Sequence, residues 1–253
     1  MSQASESWLW RPAPRPGAPL RLLCFPHAGG NPSAFRSWAD ALPAEVELIA
    51  ARLPGRHSRT GEPPCDDWDE LLSLLSGAVG AIADRPFVLF GHSLGAMIAY
   101  ELTRVLEQGA GAVPARLLLA GCRAPSVPLL LPAIHKLPDE EFAASLPLVA
   151  DISPEILADQ RIMLFMRPVL RADLALAETW PSAAPSRVRV PATAFVGRED
   201  SVAPPWSMRS WSRFVESFAI HVLPGDHFFV HARGARFLEL LTAELTAAVG
   251  KLA

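Results

Sequence analysis

The chain has 253 residues, of which 50% are hydrophobic and 19% are charged. This length suits one large domain, and this composition is typical of a globular chain with a sizeable core. The 23 basic and 26 acidic residues leave a net charge of −3, so no general basic surface attracts nucleic acid or an anionic membrane. The composition therefore excludes a largely disordered chain and predicts neither a nucleic-acid partner nor a membrane partner.

Cysteine usage and the length of the apolar runs indicate the compartment. The three cysteines, Cys24, Cys65 and Cys122, are far apart and form no C-x-x-C pair, which predicts neither a disulfide framework nor a zinc site. Residues 1–19 lack the apolar core of a signal peptide, and no run approaches the roughly 18 apolar residues of a membrane-spanning helix. We therefore expect a cytoplasmic protein.

The N-terminal segment is predicted to be extended. Residues Arg11–Pro19 contain four prolines, which favour an extended backbone over a helix. We expect residues 1–19 to form a lead-in and residues 20–253 to form a single domain.

Six short apolar runs follow, separated by segments that are long enough for helices. They are Leu20–Phe25, Val46–Ala51, Phe87–Phe90, Leu117–Ala120, Ala192–Val196 and Ala219–Leu223. None alternates strictly between apolar and polar residues, and continuous apolar strands are typical of a parallel sheet that is covered on both faces. The pattern predicts an α/β fold with a mostly parallel central sheet and helices on both sides.

Three helices are predicted between and after these strands. The first covers Trp68–Ala83 and is opened by Asp66 and Asp67, because aspartate favours the start of a helix. Leu94–Gln108 follows a strand through one tight turn, and Gly234–Val249 has the spacing of an amphipathic helix that packs its apolar side inward.

The interval 124–185 interrupts the alternation of strands and helices. It contains no convincing strand and predicts helices over Asp139–Leu146 and Pro154–Trp180, with a kink at Pro168. The second helix carries more apolar residues than one buried stripe needs. We interpret the insertion as a lid over a hydrophobic substrate channel, and packing against the edge of the sheet is the alternative.

The sequence Gly91-His92-Ser93-Leu94-Gly95 has the pattern G-x-S-x-G between a predicted strand and a predicted helix. In this setting the serine lies on a sharp turn with its hydroxyl exposed, and its neighbours must be small because the turn is tight. Ser93 is therefore the candidate nucleophile, and a glycine-rich turn with a helix-capping serine is the alternative.

A serine nucleophile needs a histidine base and an acid that orients it, which follow the serine in the order acid, then histidine. Asp200 lies four residues beyond the predicted strand Ala192–Val196 and is the expected acid, with Glu199 as the alternative. His227, between the last strand and the last helix, is the expected base, with His231 as the alternative.

The remaining histidines and Asp226 are weaker candidates for the base and the acid. His221 lies within a strand, whereas His57 and His135 do not occupy the required place in the order. His92 is expected to face away from the serine, and Asp226 is too close to His227 along the chain to reach its ring.

A tetrahedral oxyanion needs two hydrogen-bond donors. The N–H of Leu94, directly after the nucleophile, is the first expected donor. The second is expected from the glycine-rich loop after the first long strand, at Ala28, with His27 and Gly29 as alternatives.

Five segments of the chain together resemble the stand-alone type II thioesterases of polyketide and nonribosomal peptide synthesis, which belong to the α/β-hydrolase superfamily. They are CFPHAGG at 24–30, LPGR at 53–56 with Arg59 and Glu62-Pro63, FGHSLGA at 90–96, RPVLRAD at 167–173, and GDHFF at 225–229. The resemblance implies a triad of Ser93, Asp200 and His227, and an oxyanion hole formed by the Ala28 and Leu94 amides.

The resemblance also implies a substrate and a partner. The substrate would be an acyl thioester on the phosphopantetheine arm of an acyl or peptidyl carrier protein, and the task would be to remove stalled or wrongly primed acyl groups. No cofactor and no metal ion is implied. Carrier proteins tend to be acidic, so we expect an arginine-bearing rim, with solvated helix faces as the alternative. The candidate arginines are Arg123, Arg161, Arg167 and Arg171.

Other activities are compatible with the same residues. A carboxylesterase or lipase would use the same triad, and an acyltransferase or cyclase would differ only in the second nucleophile. A non-catalytic binding protein of the same fold commonly lacks a triad member, and all three are present here.

Overall fold

The computed structural model describes residues 7–109, 111–150, 152–181, 183–231 and 235–252. Within these ranges seven strands form one sheet. The strands are β1 (Leu9–Trp10), β2 (Leu20–Phe25), β3 (Val46–Ala51), β4 (Phe87–His92), β5 (Arg116–Ala120), β6 (Ala192–Gly197) and β7 (Phe218–Leu223).

The order of strands across the sheet is β1-β3-β2-β4-β5-β6-β7. Every neighbouring pair is parallel except β1 and β3. The predicted mostly parallel sheet is confirmed, and all six predicted strands are present within two residues of their expected ends. Because the strands run the same way, the loops that follow β2, β4, β5, β6 and β7 meet at one edge of the sheet.

Strand β1 was not predicted, because two residues are too short to show a pattern. Leu9 pairs with Ala51 and Trp10 pairs with Ala50. Trp8 and Leu9 are buried in the core, so the first part of the expected lead-in belongs to the sheet. The Arg15 side chain attaches the proline-rich part by donating hydrogen bonds to four backbone carbonyls, those of Ala39, Leu42, Pro43 and Val46.

Eight α-helices are present in the described part of the chain. They are α1 (Trp38–Ala41), α2 (Trp68–Gly80), α3 (Leu94–Gln108), α4 (Asp139–Ser145), α5 (Pro154–Ala158), α6 (Gln160–Thr179), α7 (Pro205–Arg209) and α8 (Ala235–Val249). The expected start of the last helix, Gly234, lies outside the described residues.

The sheet separates two apolar cores because successive side chains of a strand point to opposite faces. On β2, Leu23 and Phe25 pack on the side of α2 and α3, whereas Leu22 and Cys24 pack on the side of α1 and α8. This explains why the strands are apolar without alternation.

The insertion between β5 and β6 contains helices α4, α5 and α6, where only two helices were predicted. The predicted second helix is divided at Asp159, whose backbone is extended (φ −84°, ψ 101°). Its carboxylate accepts the N–H groups of Arg161 and Ile162. The aspartate therefore caps a new helix and does not continue the previous one. Helix α6 then continues through Pro168.

The insertion has a small core of its own, which comprises Ile134, Phe142, Leu146, Met163, Leu170 and Leu174. On the outer side of α6, Leu164 and Phe165 are exposed, so this helix is apolar on more than one face, as the sequence predicted. None of the described helices is both long enough and apolar enough to cross a membrane.

The start of α2 yields a test of local stability. Asp67 accepts a hydrogen bond from the N–H of Glu70 at 2.8 Å, whereas Asp66 lies one residue before the cap. Asp67→Ala should lower the free energy of unfolding by about 1 kcal/mol because an N-terminal donor loses its acceptor. Urea denaturation measures this change.

The neighbouring variant Asp66→Ala is the matched control and should change the free energy of unfolding by less than about 0.5 kcal/mol. Equal effects of the two substitutions would contradict the capping role.

Candidate active site

Ser93 occupies a strained turn between β4 and α3. Its φ of 54° and ψ of −117° lie in a region that residues with a side chain rarely adopt. Its N–H donates to the carbonyl of Ala120 at the end of β5, at 2.8 Å. The turn is therefore tied to the neighbouring strand, and strain of this kind is typical of functional positions.

Two glycines allow this turn to close. A Cβ atom at Gly91 would lie 2.1 Å from the carbonyl oxygen of Gly95, and a Cβ atom at Gly95 would lie 2.1 Å from that of Phe25. Both distances are far below a van der Waals contact, so no side chain is tolerated at either position. The G-x-S-x-G spacing thus follows from backbone packing against backbone.

Asp200 and His227 form a buried pair. The Asp200 Oδ2 atom lies 2.9 Å from the His227 Nδ1 atom, and both residues are less than 5% exposed. The Asp200 Oδ1 atom accepts the N–H groups of Val202 and Ala203. The carboxylate is therefore fixed on one side by its own loop, and its other oxygen is directed at the imidazole.

The alternative acids have other contacts. Glu199 accepts the N–H of Gly225 at 2.7 Å, so it joins the loop after β6 to the loop after β7. Asp226 accepts the N–H of Phe228 at 2.9 Å. Neither carboxylate is bonded to a histidine, and the geometry favours Asp200.

The serine turn and the Asp200–His227 pair both lie next to the end of β5. Gly121 follows the carbonyl that holds Ser93, and its φ is +53°. A Cβ atom built there would lie 3.1 Å from the His227 Cε1 atom and 3.4 Å from the Asp200 Oδ2 atom. The glycine therefore leaves room for the histidine ring beside the serine turn.

His92 supports the backbone of the base. Its side chain is fully buried, and its Nε2 atom lies 2.8 Å from the carbonyl oxygen of His227. Because a carbonyl only accepts, Nε2 carries the proton and Nδ1 is the unprotonated nitrogen. The residue before Ser93 thus holds the loop that carries His227, which agrees with the predicted structural role.

Three histidines surround this contact. The rings of His27, His92 and His231 lie 5.2 to 5.6 Å apart between centroids, and one nitrogen of each lies within 4.8 Å of the others. Burial lowers the pKa of His27 to about 3, and the nearby His231 and His227 add to this shift. Burial likewise moves the pKa of His92 well below its usual value. Both rings are therefore neutral at neutral pH, and His231 belongs to this cluster rather than to the Asp200 pair.

The loop after β2 supplies one free amide near the serine. The N–H of Gly29 donates to Asp173 at 2.7 Å, and the N–H of Gly30 donates to the carbonyl of His27 at 2.8 Å. Among the described residues no acceptor is bonded to the N–H of Ala28. The alternative donor Gly29 is thus already occupied, and the geometry favours Ala28.

The N–H of Leu94 likewise has no acceptor within the ranges that the structure describes. Leu94 is the first residue of α3, and the first amides of a helix have no partner within it. The positive end of the helix dipole lies at the same place. Negative charge that develops beside Ser93 would be stabilised by both effects.

A largely apolar cavity opens at Ser93 and Ala28. It lies between the sheet edge and the insertion, and its other lining residues include Met97, Cys122, Leu129, Leu130, Leu131, Val149, Leu174 and Ala177. Burial raises the pKa of the Cys122 thiol to about 12, so this neighbour of the serine stays protonated. Ser93 supplies a hydroxyl group to this lining.

Three of the four arginines that were expected to form a rim bind groups of the insertion instead. The prediction is wrong for Arg123, which is buried and donates at 2.6 Å to the carbonyls of Val127 and Trp180. Arg167 and Arg171 both pair with Asp139. Arg161 is exposed at the start of α6.

Comparison with known proteins identifies the family. Residues 20–245 match the thioesterase domain family. The chain belongs to the thioesterase family. The match covers the whole sheet from β2 onward, the insertion, and the loops that carry Ser93, Asp200 and His227.

Individual relatives agree with this assignment. The thioesterase is 32% identical over 229 residues to the gramicidin S biosynthesis protein GrsT of Aneurinibacillus migulanus, which is 90% of each chain. RedJ, a thioesterase from the prodiginine biosynthetic pathway in Streptomyces coelicolor, superimposes with a TM-score of 0.82 and 33% identity over 93% of this chain and 92% of RedJ. BorB, the type II thioesterase from the borrelidin biosynthetic cluster, gives a TM-score of 0.84 and 30% identity over 97% and 99% of the two chains. The resemblance to type II thioesterases, the α/β-hydrolase fold and an enzyme that acts on thioesters are confirmed.

The buried, neutral ring of His27 makes the stability of the thioesterase depend on pH. The pKa of His27 is about 3 in the folded chain and near 6.5 when unfolded. The unfolded chain therefore binds the extra proton first, and stability falls as the pH is lowered from about 6.5 towards 3. His27→Phe, which keeps a flat aromatic ring at this position but cannot be protonated, should remove up to about 1.4 kcal/mol of the stability loss between pH 7.5 and pH 5.5.

Urea denaturation at the two pH values measures this difference. If the variant lost as much stability between them as the unchanged chain does, the buried neutral state of His27 would be refuted.

Proposed function

We propose that this thioesterase hydrolyses acyl thioesters on the phosphopantetheine arm of acyl or peptidyl carrier proteins through Ser93, His227 and Asp200. The observation that carries the proposal is the buried Asp200–His227 pair, at 2.9 Å, beside the strained Ser93 turn and an apolar cavity. The full-length similarity to GrsT and RedJ, whose names refer to gramicidin S and prodiginine biosynthesis, supports the substrate class.

The first step is acylation of the serine. The Ser93 oxygen attacks the thioester carbonyl carbon while the His227 Nε2 atom takes the hydroxyl proton. The Asp200 carboxylate holds the opposite ring nitrogen as the N–H tautomer, and it stabilises the imidazolium that forms. Burial of the pair keeps water from competing for these hydrogen bonds.

The tetrahedral oxyanion is stabilised by the amides of Ala28 and Leu94. Such donors act most strongly when they are fixed before charge develops, and here one is held in a loop and the other at a helix start. The carbon–sulfur bond then breaks, and the carrier thiol leaves with the proton from His227. A thiolate is a good leaving group, so no metal ion is needed to assist it.

Water completes the cycle. His227 removes a proton from a water molecule that attacks the acyl-serine ester, and a second oxyanion forms in the same two amides. Its collapse releases the carboxylic acid and restores the Ser93 hydroxyl. One acyl chain is thus removed for each water consumed.

The insertion defines the acyl site in this proposal. Its residues Leu130 and Leu174 form part of the cavity that opens at Ser93, so an apolar acyl chain would lie beneath the lid. The three cysteines are free thiols, which suits the reducing cytoplasm in which we place the reaction.

The central test measures the mass of an acyl-loaded carrier protein. An acetyl- or propionyl-loaded carrier should lose its acyl mass when incubated with the unchanged enzyme, and should stay loaded with Ser93→Ala, because the nucleophile is absent. Oxygen esters of the same acyl groups should be cleaved more slowly.

Intact-mass spectrometry and a matched oxygen-ester assay give the two readouts. A carrier that stays loaded while simple esters are cleaved would show that the substrate is not a carrier thioester. A Ser93→Ala variant with full activity would disprove the serine mechanism itself.

Two adjacent acids provide a matched pair of variants. Asp200→Asn should lower kcat by about 10³-fold to 10⁴-fold. The amide oxygen is expected to stay with the N–H groups of Val202 and Ala203, so the NH2 group faces His227 Nδ1, donates to it and favours the wrong tautomer. A neutral amide also does not stabilise the imidazolium. Glu199→Gln, one residue away, keeps an acceptor for Gly225 and should change kcat by less than about threefold.

Steady-state hydrolysis of a small acyl thioester measures both variants. A larger loss of kcat in Glu199→Gln than in Asp200→Asn would show that Glu199, and not Asp200, is the acid that orients His227.

A further inference from the structure

The lid helix carries a buried acid that contacts the loop beside the nucleophile. Asp173 lies on α6, and its side chain is only 1% exposed. Its Oδ2 atom accepts the N–H of Gly29 at 2.7 Å and one N–H of Arg56 at 2.6 Å, and its Oδ1 atom accepts another N–H of Arg56 at 2.7 Å. One carboxylate thus joins three segments that are distant in sequence.

Arg56 completes the connection from the loop after β3. It is buried, and it also donates to the carbonyl of Gly30 at 3.3 Å and to that of Pro54 at 3.4 Å. Asp173 and Arg56 therefore bind both the N–H of Gly29 and the carbonyl of Gly30. The two residues that follow Ala28 are fixed from the same side.

Close packing accompanies these hydrogen bonds. Gly29 has a φ of +73°, and a Cβ atom there would lie 2.5 Å from the Leu170 Cδ2 atom on α6. Leu170 and Asp173 are three residues apart and share one face of that helix. The lid helix therefore presses on the loop with one side chain and binds its amide with the other.

Stability alone is a weak reason for this arrangement. A buried ion pair loses the hydration of both charges, and its net contribution to folding is often small. The effect of the pair is to fix the geometry of the loop after β2. The pair occupies the amide of Gly29 and fixes the adjoining peptide, whereas the N–H of Ala28 has no acceptor in the described part of the chain and lies at the cavity that Ser93 also lines.

We propose that Asp173, through Arg56 and Gly29, is a positioning residue for the oxyanion hole, so that the hole is complete only when the lid helix is seated on the loop. The inference rests on the role proposed above for Ala28. Asp173 does not touch the substrate; it orients the peptide that follows the donor. The position of the lid helix then determines how well the oxyanion hole stabilises the transition state.

The test uses the full chain with the variant Asp173→Asn and a small acyl thioester, so that it does not depend on a carrier protein. The amide keeps the size of the side chain but loses the charge that binds Arg56. We expect kcat to fall about tenfold to hundredfold, because a donor in the hole is misplaced, while KM changes less than about threefold.

A second readout separates positioning from a general structural role. A trifluoromethyl ketone with the same acyl chain forms a tetrahedral adduct with serine and needs the oxyanion hole, whereas a thioether analogue binds without one. The affinity for the ketone should fall by the same factor as kcat/KM, and the affinity for the thioether should stay unchanged.

Asp139→Asn is the matched control. Asp139 also pairs with arginines of the lid, Arg167 and Arg171, but on the exposed side. This variant should keep kcat within about twofold of the unchanged enzyme. If Asp173→Asn does not fold, Arg56→Lys takes its place, because lysine keeps the charge and loses the two-pronged contact.

Several outcomes would overturn the inference. A folded Asp173→Asn or Arg56→Lys variant with full kcat would do so, and so would an equal loss of affinity for the ketone and the thioether. These results are distinct from failure of the proposed function, which would appear as thioester hydrolysis that survives Ser93→Ala.

Discussion

The contact of backbone with backbone at the end of β4 is the constraint on which the rest of the site depends. Gly91 and Gly95 lie so close to each other and to Phe25 that neither position admits a side chain. Only because this turn is so tight does Ser93 adopt a positive φ at the first turn of α3. The same closeness brings the loop after β2 next to the serine turn. One packing requirement thus sets the positions of the proposed nucleophile and of the Leu94 amide, and the parallel sheet directs the loops that carry Asp200 and His227 to the same edge.

The loops at that edge are joined by contacts that cross between them. His92 binds the carbonyl of His227, Glu199 binds the amide of Gly225, and the serine turn binds the end of β5. The first two contacts each connect a neighbour of Ser93 or Asp200 with the loop that carries His227. The spacing between Ser93, Asp200 and His227 therefore depends on neighbouring residues to which the proposal gives no chemical role. This is the usual way in which a rigid sheet holds a site that is built on loops.

Much of the fold was predictable from the sequence, and the exceptions have identifiable causes. The long strands were found because burial on both faces makes them apolar throughout, whereas β1 is too short to have a pattern. The break before α6 is not predictable from the pattern, because Asp159 is like any polar residue inside a helix. Only the structure shows that its side chain accepts the N–H groups of Arg161 and Ile162.

At the site, the motif around Ser93 predicts the nucleophile, whereas the sequence alone leaves both Asp200 and Glu199 as candidate acids. Both residues are acidic and adjacent, and only the direction of each side chain separates them. Arg123 was misjudged because the sequence does not show that backbone carbonyls surround it. The contact of Asp173 with Arg56 joins positions 117 residues apart, and no local pattern reports such a pair.

The buried acid on α6 also bears on how lids diverge among enzymes of this kind. A lid is usually regarded as the exchangeable part of a hydrolase, since it covers the substrate and lies outside the sheet. In this chain the lid supplies both the carboxylate that binds Gly29 and the leucine that packs on it. A lid exchanged to alter acyl preference would have to bring an equivalent acid and an equivalent apolar contact at the same helical spacing. A change of acyl selectivity, during evolution or by engineering, would therefore have to keep Leu170 and Asp173 on α6 while it alters residues that line the cavity, such as Leu130.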